Sequence, residues 1–137
     1  MPQMNGGCLC GQVRYSANVD PIFSAVCHCK TCQKQTGTAF RVVVAVPLRE
    51  VSIQGSPNTY TRTGDSGQHV VNRLCPHCGS TVLIEPVALT GTAIIPAGTL
   101  DDPSWLKPSM EIYCDNAQPW VQLGGGMQRF PKMHHHG

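Results

Sequence analysis

Seven of the eight cysteines stand in three short clusters. Cys8 and Cys10 form C-x-C-G. Cys27, Cys29 and Cys32 form C-H-C-K-T-C, and Cys75 and Cys78 form C-P-H-C-G. Thiolates this close in sequence are metal ligands or redox pairs. Four of them close a structural zinc tetrahedron, whereas three leave a coordination position open for chemistry. Two pairs plus a trio therefore suggest two zinc ions.

The pairs are the closed set. In Cys75-Pro76-His77-Cys78-Gly79 two intervening residues let the chain turn both sulfurs toward one point, and the glycine permits positive φ, so that backbone amides reach the thiolates. Cys8-Leu9-Cys10-Gly11 is a tighter version. Neither pair completes a tetrahedron alone; Cys8, Cys10, Cys75 and Cys78 together do, at about 2.3 Å from the ion. A redox dithiol would want a helix starting at the cysteines in a βαβ setting, and strands flank this pair instead. Tetrahedral sulfur would also suit iron.

The trio Cys27, Cys29 and Cys32 is the open set. Extended C-x-C followed by C-x-x-C in a turn brings three sulfurs around one point. Such a zinc takes water or an incoming thiol as fourth ligand, and a bound thiol becomes a thiolate at neutral pH. Three alternatives stay open. His28 could close the site, although alternation in extended chain aims it away from Cys27 and Cys29. Cys114 could close it from a distant strand, or be a small buried hydrophobe between Tyr113 and Asp115. The thiols could also stand metal-free. His69 and His77 lack ligand spacing and read as surface or strand histidines, and Asp101-Asp102 before Pro103 read as turn formers.

The elements that must hold these groups are strands. Eleven prolines and fourteen glycines punctuate short, β-branched apolar segments, the texture of an all-β fold. Strands are expected near Val13–Ser16, Phe23–Val26, Phe40–Val46, Val51–Gln54, Asn58–Arg62, His69–Leu74, Thr81–Ile84, Thr92–Ala97 and Glu111–Cys114. One short helical turn is expected after the second cysteine cluster, over Lys30–Gln35 and ending at Gly37. With no repeat and no linker, residues 1–137 read as one domain, compact sheets packed around the structural zinc. The terminal Met133-His134-His135-His136-Gly137 reads as a solvated tail able to pick up metal adventitiously.

Composition narrows the partners. Charged residues are 13% and the formal charge is +2. Seven thiolates holding two Zn²⁺ would move that to about −1, which tells against nucleic acid. No apolar run approaches the roughly 20 residues of a membrane span, and the first residues show neither the charged nor the apolar region of a signal peptide. A cytoplasmic, reducing setting is expected, in which cysteine clusters bind metal rather than form disulfides.

The ordered motifs resemble a family. They are Gly7-Cys8-Leu9-Cys10-Gly11 with Val13-Arg14-Tyr15, Cys27 to Cys32, Thr36-Gly37 and Phe40, Val46-Pro47, Cys75 to Gly79, Gly98-Thr99-Leu100-Asp101-Asp102-Pro103, and Pro119-Trp120. The set, from about Gly6 to Trp120, resembles the glutathione-dependent formaldehyde-activating enzymes, whose wider family includes centromere protein V; residues 121–137 would be an extension. The resemblance implies an all-β fold, a structural zinc on Cys8, Cys10, Cys75 and Cys78, and a labile catalytic zinc on Cys27, Cys29 and Cys32. It implies formation of S-hydroxymethylglutathione from formaldehyde and glutathione, a carbon–sulfur lyase reaction written in reverse. Three positions depart from the family pattern: Arg41-Val42 and Leu74 stand where an aromatic is common, and Glu111 where a histidine is common.

The reading is thus a zinc-dependent carbon–sulfur lyase that binds a thiol such as glutathione and adds it to a small aldehyde, with Lys34, Arg41, Arg62 and Arg73 as candidates to receive glutathione's carboxylates. Its rivals are a non-catalytic two-zinc module that binds a protein partner, and a zinc enzyme acting on a different thiol adduct.

Overall fold

The computed structural model describes residues 3–133; the histidine tail beyond Met133 lies outside them. The chain forms two compact units, one of residues 1–22 and 44–105, the other of residues 23–43 and 106–137.

In the first unit, β1 (Gln3–Gly7), β2 (Arg14–Asn18) and β5 (Val51–Gln54) make a three-stranded antiparallel sheet in the order β1-β2-β5. Alternation buries Met4, Tyr15 and Ala17 on one face, as expected where only one side of a sheet packs on a core. β1 carries no β-branched residue. Its strand is imposed by the partner, with Gly6 opposite Tyr15. A Cβ on Gly6 would stand 2.3 Å from the Thr99 carbonyl oxygen and 2.4 Å from the Tyr15 hydroxyl. Glycine is what lets that hydroxyl sit at 2.7 Å from Thr99 Oγ1.

The same unit holds the antiparallel run β6 (Asn58–Thr63), β7 (His69–Leu74), β8 (Thr81–Pro86) and β9 (Thr92–Pro96). β8 and β9 supply Val82, Leu83, Ile84, Ala93, Ile94 and Ile95 to the core. The register between β7 and β8 shifts at Arg73/Leu74, just before the Cys75 turn.

In the second unit β11 (Gln128–Arg129), β10 (Met110–Ile112) and β3 (Phe23–Cys27) lie in that order, followed by β4 (Arg41–Pro47), whose residues from 44 onward belong to the first unit. β10 runs parallel to both neighbours, with Glu111 opposite Val26 and Ile112 opposite Cys27. β4 reads Val-Val-Val-Ala-Val and is buried almost continuously, the pattern of a strand covered on both faces.

The helix α1 spans Lys30–Thr36, with Cys29 as N-cap and Gly37 as a left-handed C-cap. It is the short helix expected after the second cysteine cluster. Among the described residues no helix is long and apolar enough to cross a membrane.

Two expected strands end early. β9 stops at Pro96, and Ala97–Thr99 is a 3₁₀ turn. The last expected strand does not reach Cys114. Tyr113 adopts φ 57°, a left-handed conformation rare for an aromatic, and Cys114–Asn116 form a 3₁₀ turn. Asp102 is a turn former, accepting from the Ser104 amide and hydroxyl, whereas Asp101 pairs with Arg14.

Candidate metal centres

The four-sulfur group assembles within the first unit. Cys75 leaves β7 and the chain returns at Ser80, whose carbonyl takes the Cys75 amide at 3.0 Å. Gly79, at φ 80°, makes that return possible, as Gly11 does at φ 84° for the tighter turn. Amides point at sulfur throughout: His77 and Cys78 donate to Cys75 Sγ at 3.3 and 3.5 Å, and Val13 donates to Cys8 Sγ at 3.3 Å. The sulfurs of Cys8, Cys10, Cys75 and Cys78 all lie within 4.8 Å of one another. Cys10 Sγ is 3.7 Å from Cys8 Sγ and 3.6 Å from Cys75 Sγ. A tetrahedron with metal–sulfur bonds near 2.3 Å has edges of about 3.8 Å, so the group has the dimensions of a metal cage.

Its protons behave accordingly. The Ser80 hydroxyl and backbone hold the Cys78 thiol down at about 5, while Cys10 is pushed up to about 12. The Cys10 shift is net: a backbone hydrogen bond at Gln12 lowers it, and burial and the neighbouring sulfurs outweigh that. Clustered thiols shed all their protons only when a cation replaces them. His77 is exposed in the turn and His69 is exposed at the start of β7, as expected of surface or strand histidines.

The second group assembles at the junction of β3 and α1. Cys27 ends the strand and Cys32 is the third residue of the helix. Cys29 lies between them as the N-cap, its Sγ accepting the Cys32 amide at 3.3 Å. The three sulfurs fall within 4.8 Å of one another, with Cys27 and Cys32 buried and Cys29 half-buried. Hydrogen bonding with Cys29 and Cys32, then burial, drive the Cys27 thiol far upward. Cys32 rises to about 11: Cys27 pulls it down, Cys29 and burial push it up further, and the charge of Arg41 lowers it. Three soft donors that resist losing protons in each other's company fit a divalent ion such as zinc.

His28 and Cys114 do not join this trio. They stand with Glu111 in a group of their own. His28 Nε2 is 2.8 Å from Glu111 Oε1, both residues being buried, and Arg129 Nε lies 3.6 Å from Glu111 Oε2. Cys114 Sγ donates to the Glu111 carbonyl at 3.6 Å. Cys114 is thus half-buried at a turn rather than packed inside a strand. Gln33 of α1 ties the same segments together, donating to the carbonyls of His28 at 2.7 Å and Asn116 at 3.0 Å.

No local pattern in the sequence marks Glu111 as the partner of His28. The alternation that turned His28 away from the sulfurs was a usable signal that it needed a buried polar partner.

The four cations stand on four different elements. Lys34 is exposed on α1, and Arg41 is buried at the start of β4. Arg62 and Arg73 belong to the first unit, on β6 and β7. Arg73 pairs with Glu85, and Arg62 is half-buried with its Nε unpartnered.

A family model, the glutathione-dependent formaldehyde-activating enzyme, matches residues 3–116. The chain belongs to this family. All three groups of possible metal ligands lie inside the matched segment. A crystal structure of a Rhodobacter sphaeroides protein shares the family member's fold, with a TM-score of 0.59 at 15% identity, over 93% of this chain and 99% of the other. Comparison with curated proteins gives no match.

Proposed function

We propose that the protein is a zinc-dependent carbon–sulfur lyase-type enzyme resembling S-(hydroxymethyl)glutathione synthase. In this reading Cys8, Cys10, Cys75 and Cys78 hold a structural ion, and Cys27, Cys29 and Cys32 hold a labile one. The observation that carries the proposal is the trio itself: among the described residues no fourth His, Cys, Asp or Glu completes it. A zinc bound there would present a thiol such as glutathione as a thiolate at neutral pH.

The chain's own groups do the rest. Cys27, Cys29 and Cys32 fix the direction from which the thiol enters. The His28–Glu111 hydrogen bond and the Gln33 bonds hold the segment on which those cysteines ride. Lys34, exposed two residues beyond Cys32, would receive a glutathione carboxylate in this reading.

A thiol bound there would give its proton to solvent. Its sulfur would then bond to the aldehyde carbon as the carbonyl π pair moves to oxygen, and that oxygen would take a proton from solvent to give the hemithioacetal. A reducing, cytoplasmic setting that keeps seven thiols available for metal is part of this reading.

The uncatalysed addition is itself easy, so the test is exchange at equilibrium. Magnetization transfer between the hemithioacetal and free formaldehyde is compared for zinc-loaded wild type and Cys32→Ser. Acceleration above the uncatalysed rate is expected in wild type and should be lost in the variant. Wild type at the uncatalysed rate with both zinc ions bound would reject formaldehyde chemistry in favour of a binding module or a different adduct.

A further inference from the structure

Arg41 is only 7% exposed. Ion pairs among the described residues join Arg14, His28, Arg49, Arg73, Arg129 and Lys132 to carboxylates, and Arg41 is in none of them. Its Nη2 donates to Gln35 Oε1 at 2.6 Å, and an amide satisfies a hydrogen bond without balancing a charge. A buried guanidinium lacking a counter-charge is costly, so an anion must face it.

α1 identifies that anion. Gln35 stands three residues beyond Cys32, so both occupy one side of the helix. The guanidinium that reaches Gln35 is therefore on the side of the helix that carries Cys32. Three thiolates around a divalent ion carry a net charge of −1, and an entering thiolate makes it −2.

We propose that Arg41 is the buried counter-ion of the Cys27/Cys29/Cys32 centre, a positioning residue that favours the metal-bound trithiolate and an anionic fourth ligand and does not bind a substrate carboxylate. This rests on the metal-centre reading above. Arginine suits the task because its charge survives burial, where a lysine readily loses its proton. The offset applies to any thiolate alike, since it acts on the charge at sulfur and not on groups further along the ligand.

The test uses Co²⁺ as the probe. Protein with zinc kept in the four-sulfur centre is titrated with Co²⁺ at the second, and sulfur-to-metal charge-transfer absorption reports binding. Arg41→Gln should weaken Co²⁺ binding tenfold or more, and Arg41→Lys by a smaller factor. Glutathione and 2-mercaptoethanol are then added to each loaded protein. Arg41→Gln should weaken both thiols by the same factor.

A loss for glutathione alone would assign Arg41 to a carboxylate and overturn the proposal. Unchanged Co²⁺ affinity in Arg41→Gln would overturn it while leaving the proposed function standing. Wild type that takes up no second Co²⁺ would overturn both. Should Arg41→Gln fold poorly, its combination with Cys32→Ser decides: with one thiolate removed, losing Arg41 must cost less stability than it does in wild type, and an equal cost overturns the proposal.

Discussion

Individual side chains divide into those that hold the fold and those that hold chemistry, and the cysteines belong to both kinds. Cys78 sits in the four-sulfur cage with the Ser80 hydroxyl 3.3 Å from its sulfur. Cys78→Ser should remove several kcal/mol of metal-coupled folding energy and lower the melting temperature by about 10 °C or more. Cys29→Ser should lower it by a few degrees at most and release one equivalent of metal. Equal shifts in a melting experiment would refute the division of cysteines between the two centres.

Tyr15 makes a pH-dependent contribution. Burial raises its phenol to about 12, the hydrogen bond with Thr99 opposing part of the rise. The unfolded value is near 10. A folded value above the unfolded one means the contribution is complete below about pH 10 and disappears as the pH climbs through about 12. Tyr15→Phe should cost about 1 kcal/mol near neutrality through the lost hydrogen bond and lose less stability than wild type between pH 10 and 12. Denaturant titrations at both ends of that range measure the difference.

At the scale of elements, the junction of β3 and α1 is positioned by a strand far along the chain. β10 pairs in parallel with β3 and delivers Glu111 to His28, which stands between Cys27 and Cys29. Glu111→Ala leaves the buried His28 ring without its partner and should cost about 1–3 kcal/mol. Glu111→Gln, which can still accept from Nε2, should recover most of that by chemical denaturation.

Strands with β-branched residues and alternation were legible in the sequence to within a residue or two, β5 and β7 to the residue. So were the grouping of the cysteines and the Gly37 stop of α1. β1 was not, because Gln3-Met4-Asn5-Gly6-Gly7 has no propensity of its own and is a strand only through pairing with β2. β11, two residues long, left no periodicity to read. The early end of β10 at Tyr113 was also hidden, since a left-handed tyrosine is set by its surroundings and by no local pattern. Glu111 was visible as a residue but not as a partner, because parallel register across 83 positions is a tertiary fact.

For the molecule as a whole, the two centres belong to different compact units. The four-sulfur centre ties Cys10 to Cys75, 65 residues apart, whereas the trio spans a single strand–helix junction. Mild chelation, or excess glutathione, should therefore extract about one equivalent while the sheets survive. Amide exchange resolved along the sequence should show new opening near Cys27–Cys32 and unchanged protection in β7 and β8. Loss of both equivalents in one step, with collapse of protection throughout, would contradict it.

The hydrogen bond between His28 and Glu111 also sets a schedule for biosynthesis. A ribosome makes the three cysteines of the trio early and Glu111 83 residues after His28, a delay of roughly 4–17 seconds at ordinary elongation rates. During that interval the nascent chain carries a cluster of three close thiols without the strand that braces their segment, open to oxidation among themselves. Ribosome-bound chains stalled short of β10 should have Cys27, Cys29 and Cys32 alkylated readily even with zinc present, and chains stalled well beyond Arg129 should have them shielded. Newborn protein, more than the finished fold, would then be where oxidants strike this centre.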